Sequence, residues 1–169
     1  MQLYSLSYHY VISTFFFFHN GLILIINLHI ARLSSLLKFV FLDDCGTIIN
    51  PLLVEGQIHG ALGHGLGGAL LEEFVYDDDS GLLLTSSLMD YLLPTFTDLP
   101  EFETHLVVTP SPSSEGGFKG RGEAGCFPAA AVVANAVCDA LAEYGIEVDQ
   151  TPITPNRVWR LIEEAKANA

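Results

Sequence analysis

Glu123 has the clearest capacity for chemistry in this sequence. It lies in Gly117-Phe118-Lys119-Gly120-Arg121-Gly122-Glu123-Ala124-Gly125, a carboxylate set among glycines with two cations close by. A carboxylate held in an ordered loop, with bases near it, suits general-base work. Lys119 and Arg121 stand out because residues 41–169 contain only five basic side chains. They either neutralise a turn or contact an anion or cofactor, and the pattern leaves both readings open. The loop also carries the spacing GxGxxG at Gly120/Gly122/Gly125, repeated at Gly63/Gly65/Gly68. Neither copy has the strand–turn–helix setting that a dinucleotide-binding fingerprint requires. A glycine-rich backbone that cradles a phosphate or pterin through free N–H groups remains open for the loop around Glu123. His59 and His64 are five residues apart, whereas zinc ligands on one helix face need i, i+4; they read as ordinary helix histidines. His105 reads as a strand-face residue, and Asp90 and Tyr91 as structural. Asp77-Asp78-Asp79 reads as a solvated loop without the spacing of a calcium-binding hand.

The elements that must position these groups can be read coarsely. Phe39-Val40-Phe41-Leu42 predicts a short buried strand, followed by a turn at Asp43-Asp44-Cys45-Gly46. Asn50-Pro51 is an N-cap followed by proline at the first helical position, opening a helix expected to reach about Phe74. That helix contains six glycines, each costing about 1 kcal/mol against alanine if exposed. The cost makes sense if a segment or ligand packs closely on its backbone. Glu103–Thr109 alternates and predicts a strand. Residues 110–126 form a Ser/Pro/Gly loop. A helix follows from Pro128 through Tyr144, with Val132, Val133, Ala136, Val137, Ala140 and Leu141 inward and Gly145 as its stop. Thr154-Pro155 caps a last helix that turns Val158, Trp159, Leu161 and Ile162 inward. Connections too irregular for strict βαβ units make the class α+β, with a long glycine-rich helix, a few strands and two C-terminal helices.

The chain has 169 residues, half of them hydrophobic and 16% charged, with a formal net charge of −13. That balance excludes disorder and argues against nucleic acid as a partner. Three cysteines, Cys45, Cys126 and Cys138, form no CxxC pair, which argues for a reducing, cytoplasmic setting and gives no metal site. Residues 1–40 contain two bases and no acid, whereas the remainder contains all twenty acids. The sequence therefore divides into an apolar leader, 1–38, and an acidic body, 39–169. Tyr10–Ala31 is long enough to cross a bilayer as a helix, but no basic region precedes it as in a secretory signal. It reads either as a membrane segment or as a gene-start artefact.

Several stretches of the body, taken in order, resemble one family. They are DDCGTIINPLLVEGQIHGALGHGLGGALLEE (Asp43–Glu73), SLMDYLLPTFTDLP (Ser87–Pro100), ETHLVVTPSP (Glu103–Pro112), GFKGRGEAG (Gly117–Gly125) and TPITPNRVW (Thr151–Trp159). This pattern is similar to the C-terminal end of the molybdenum hydroxylase large subunit, in the xanthine dehydrogenase/aldehyde oxidase family. The SLMDYLLP and KGRGEAG forms are most similar to the aerobic carbon monoxide dehydrogenase branch. The resemblance implies a partial molybdopterin-binding domain and a molybdenum–molybdopterin cofactor, in the cytosine dinucleotide form of bacterial members. Copper is implied only for a full-length subunit of the carbon monoxide branch. The resemblance matches Gln57 to a glutamine that contacts the pterin and Glu123 to the active-site glutamate beside the metal. It brings the loop of Lys119, Gly120, Arg121 and Gly122 to the cofactor mainly by backbone groups. On charge grounds, the two cations are suited to offset some of the repulsion between an ionised Glu123 and an oxyanionic metal centre. It implies a small-molecule substrate, oxygen from water, and electrons leaving through iron–sulfur and flavin subunits. The expectation is a fragment, inactive alone. The competing reading is a non-catalytic interaction module attached to a membrane through residues 10–31.

Overall fold

A computed structural model of the chain describes residues 11–17, 22–31 and 33–168. Four strands form one mixed sheet in the order β1 (Val11–Phe17), β2 (Leu22–Ala31), β3 (Leu33–Asp44) and β4 (Glu101–Val107). The first three pair antiparallel, and β4 lies parallel to β3 from Lys38↔Glu101 to Asp44↔Val107. Three helices accompany the sheet: α1 (Pro51–Leu70), α2 (Cys126–Ala140) and α3 (Pro155–Ala167). The class is α+β, with one parallel crossover, β3–α1–β4, that the irregular connections had hidden. Of the stretch read as a membrane segment, Tyr10, residues 18–20 and Gly21 lie outside the described residues, and the rest is strand. Among the described residues, no helix is long and apolar enough to cross a membrane.

β3 organises the core through its alternation. Phe39 and Phe41 are fully buried on one face, because successive strand side chains point to opposite sides. They meet Ile58, Leu62, Leu66 and Ala69 of α1 and Ala129, Val132, Val133, Ala136 and Val137 of α2. The same alternation carries Asp43 onto the apolar face where the hydrophobic layer ends, and Asp44 onto the other. The two acids therefore end the strand rather than form a turn. The turn follows at Gly46, whose φ of 68° is left-handed and where a Cβ would strike the Gly117 carbonyl; only glycine fits both demands.

α1 begins as read from the sequence, with the Asn50 side chain accepting from the Leu52 and Leu53 amides at 3.1 and 3.3 Å. It stops four residues before the expected Phe74. Its end is fixed where the Ala69 carbonyl accepts the Ile153 amide at 2.7 Å, and where Leu71 and Glu72 both donate to Gly67. α1 crosses α2 at Gly65, where a Cβ would lie 2.7 Å from both Ala129 Cβ and the Cys126 carbonyl. α2 starts at Cys126, and Gly145 with φ 64° closes the turn after it. α3 is capped by Thr154, whose hydroxyl accepts from the Arg157 amide at 3.2 Å. Val158 is buried there, but Trp159 is 61% exposed, against expectation. The inward stripe is Val158, Leu161, Ile162 and Ala165, and one residue along a helix turns about 100° away from it.

Gly65→Ala is expected to destabilise the fold by about 1–3 kcal/mol, because the added methyl overpacks a backbone crossing. Gly68, with no atom within 4 Å of the corresponding position, behaves oppositely: Gly68→Ala gains about 0.5–1 kcal/mol of helix propensity. Urea midpoints of the two variants test the opposite signs.

Candidate cofactor cleft between the first helix and the glycine loop

The loop that precedes α2 is tied to the end of β3 by backbone bonds. The Lys119 amide donates to the Cys45 carbonyl and the Thr47 amide to the Gly117 carbonyl, both at 3.1 Å. Gly46 and Phe118 form an antiparallel bridge. Beyond it, Lys119 and Arg121 point their side chains at consecutive acids of β3. Lys119 Nζ lies 2.7 Å from Asp44 Oδ2 and donates to Thr109 Oγ1 at 2.8 Å. Arg121 pairs with Asp43, and its guanidinium stands 5.5 Å from the Phe41 ring centre. Asp44 is the centre of this knot. Its Oδ1 accepts from the Gly46 amide at 2.9 Å and the Thr109 amide at 3.1 Å, and its Oδ2 also accepts from the Thr109 hydroxyl.

Burial alone would raise the Asp44 carboxyl, but the bonds from Lys119, Thr109 and Gly46 together outweigh it and hold its pKa well below the usual carboxylate range. Asp43 behaves differently. Burial pushes its carboxyl up, opposed by the Arg121 charge. Burial also draws Arg121 down, against the pull of Asp43.

On its other side, the loop meets α1. Gln57 Nε2 donates to the Gly122 carbonyl at 2.5 Å. Gln57, Gly60, Ala61, His64, Gly122, Glu123 and Cys126 line a cleft of about 180 Å³. Glu123 is exposed there, and its own carbonyl accepts the Cys126 amide at 2.9 Å as α2 begins. Burial, and after it the charges of Glu123 and Glu72, push the Cys126 thiol up, so it remains protonated. Among the described residues, no group of three His, Cys, Asp or Glu side chains is placed to hold a metal ion.

The structure thus brings Gln57, Gly122 and Glu123 to one cleft. Lys119 and Arg121 flank it in sequence but turn to Asp44 and Asp43, so their charges are already balanced and do not offset others in the cleft. Gly120 contributes open backbone, with no atom within 4 Å of where a Cβ would stand. His59 rests 5.5 Å from the Phe102 ring, on a different side of α1 from His64. Asp90 and Tyr91 are structural, accepting from Ser87 and donating to Glu72 at 2.6 Å respectively. His64, read from the sequence as an ordinary helix histidine, and Cys126, read there only as an unpaired cysteine, also line the cleft. The anchoring acids were also missed, although two adjacent carboxylates closing an apolar strand, in a body with five bases, were a usable signal.

Asp44→Asn should cost about 3 kcal/mol near neutral pH, because it leaves Lys119 without its partner charge. Folded Asp44 titrates below its unfolded range of about 3.9. Its stabilisation is therefore complete above that range and is lost as pH falls below it. Asp43 shifts in the opposite sense but is present in both proteins, so it largely cancels in the difference. The gap in urea midpoints between native protein and variant should narrow below about pH 4; a gap that stays constant from neutral pH into acid would contradict the assignment.

Known proteins resemble this chain in sequence and fold. Residues 33–100 match the family model of the molybdopterin cofactor-binding domain. The nicotine 6-hydroxylase large subunit of Paenarthrobacter nicotinovorans is 45% identical over 123 residues, covering 73% of this chain and 15% of that protein. The carbon monoxide dehydrogenase large chain of Hydrogenophaga pseudoflava is 42% identical over 127 residues, covering 75% of this chain and 16% of that one. The crystal structure of quinoline 2-oxidoreductase from Pseudomonas putida 86 superposes with a TM-score of 0.79 at 43% identity, over 86% of this chain and 18% of that chain. The chain therefore spans less than a fifth of the length of each of these relatives. With its residues 33–100 matching the molybdopterin cofactor-binding domain, the chain belongs to the molybdenum hydroxylase large-subunit family.

Proposed function

We propose that this chain is part of the large subunit of a molybdenum hydroxylase, where it binds molybdopterin along Gln57 and the Lys119–Gly122 backbone and presents Glu123 as the base. The observation that carries this reading is the 2.5 Å bond from Gln57 to the Gly122 carbonyl, which sets the glutamine and Glu123 on one cleft. The residues fit a pterin in two respects. Gly60 and Gly122 line the cleft with nothing within 4 Å of where a Cβ would stand, so a flat ring can approach the backbone. Gln57 uses one amide N–H on Gly122 and retains its carbonyl and second N–H for a ligand. Bound there, the cofactor supplies two-electron redox chemistry at molybdenum.

The chain's own contribution is positional and acid–base. Gln57 orients the pterin. The loop offers backbone rather than cations, because Lys119 and Arg121 are held by Asp44 and Asp43. The exposed Glu123 carboxylate takes up the proton released as water oxygen passes to the substrate. The cofactor is the cytosine dinucleotide form, the substrate is a small molecule, and the electrons leave through iron–sulfur and flavin subunits in the cytoplasm. Large side chains left in the open support a part that needs the rest of a large subunit: Phe96 is 93% exposed, Met89 89%, Ile49 80% and Phe127 78%. The chain alone does not turn over.

The test is to assemble the chain with the remaining large-subunit polypeptide of a relative and to measure bound molybdenum and dye-linked oxidation. Glu123→Gln should lower kcat about 10²–10⁴-fold with molybdenum content unchanged, whereas Gln57→Ala should lower the molybdenum content. A metal-loaded assembly in which Glu123→Gln turns over normally would overturn the base assignment.

A further inference from the structure

The Lys-Gly-Arg-Gly segment alternates a cation with a glycine, and the two cations reach two consecutive residues of β3. Consecutive strand residues point to opposite faces, so Lys119 and Arg121 grip both sides of the strand end. The grip on Asp44 is hydrogen-bonded throughout, at 2.7 Å to Lys119 and 2.9 Å to the Gly46 amide. The grip on Asp43 is of another kind. Both side chains are nearly enclosed, at 12% and 5% exposure, yet Asp43 Oδ2 and all three Arg121 nitrogens lack an aligned hydrogen bond. A buried ion pair with so little hydrogen bonding contributes little net stability compared with apolar residues of the same size. What it does impose is location: neither charge can leave without stranding the other.

The next residue beyond Arg121 is Gly122, held by Gln57, and the residue after that is Glu123, whose carbonyl is held by the Cys126 amide. Every segment bordering Glu123 is therefore anchored, while its side chain is free in the cleft. We propose that Asp43 and Asp44 are positioning residues, a two-sided clamp that fixes the height of the Glu123 loop above the end of β3 and hence its distance from α1. This rests on Glu123 being the group that matters in the cleft. The two carboxylates touch no ligand; they act through Lys119 and Arg121.

Amide hydrogen exchange on the full chain tests the clamp without any cofactor. Arg121→Met and Lys119→Met should each speed exchange at least tenfold at the amides of residue 119 and Thr47, which bond the loop to the end of β3, while core amides of α1 and α2 change less than threefold. Lys119→Arg, which keeps the charge, should hold the loop within threefold of the native rate. Adding Asp43→Asn to Arg121→Met should give no further increase, because both act on one contact. Should Arg121→Met fail to fold, the partly exposed Lys119 pair decides the matter alone. Loop exchange that is unchanged in Lys119→Met, or that rises in step with the helices, would overturn the clamp. Glu123→Gln should leave the exchange pattern as it is, so the clamp and the base assignment fail separately: exchange reports on the first and turnover of the assembled enzyme on the second.

Discussion

Asp44 is the point through which the site is held to the fold. One carboxylate joins the end of β3, the turn at Gly46, the segment after β4 at Thr109, and the loop at Lys119. Thr109 and Lys119 lie 65 and 75 positions along the chain from Asp44, and the polar groups gathered there would otherwise need water. An ionised acid at the strand end satisfies several donors at once, and each bond to a charged acceptor is stronger than a neutral one. Burial works against this, and the number of donors decides the outcome.

The apolar core sets where that carboxylate can be. Phe39 and Phe41 fix the register of β3 against α1 and α2, and a one-residue slip would exchange the positions of Asp43 and Asp44 relative to the core. The glycines of α1 serve two different ends. Gly65 lets α2 approach within contact of the helix backbone, whereas Gly60 faces the cleft and has open space beside it. A helix that reads as uniformly glycine-rich is thus tight on one side and open on the other, and α2 enters on the tight side immediately after Glu123.

Local signals were legible where the chemistry is local. Asn50-Pro51 and Thr154-Pro155 mark helix starts through side-chain caps, and both hold; Gly145 is left-handed as read, but it closes a single 3-10 turn, Ala142–Tyr144, after α2 has already ended at Ala140. The inward face of α2 followed from its periodicity. Tertiary constraints were not legible. α1 ends early because a carbonyl is taken by Ile153, on a distant segment, and Trp159 lies outside because Val158 sets the buried stripe. The parallel pairing of β3 with β4 joins strands separated by a whole helix and a long excursion, and no short window reports it. At the site, the loop and its glutamate were conspicuous in composition, but the bond of Gln57 to Gly122 spans 65 positions and no spacing reports it; resemblance drew Gln57 and the loop to one cofactor without pairing them. The two cations kept two readings open in the sequence; the structure shows both side chains paired with the acids of β3.

The most direct test of the central claim is the position of molybdenum relative to Glu123. Anomalous scattering at the molybdenum absorption edge, from crystals of the chain assembled with the rest of a large subunit and loaded with cofactor, would locate it. The account predicts a single peak on the Gln57 side of the cleft, with the Glu123 carboxylate within hydrogen-bond reach of a ligand of the metal, directly or through one water. A peak outside that cleft, or a Glu123 side chain turned away from it, would contradict the account.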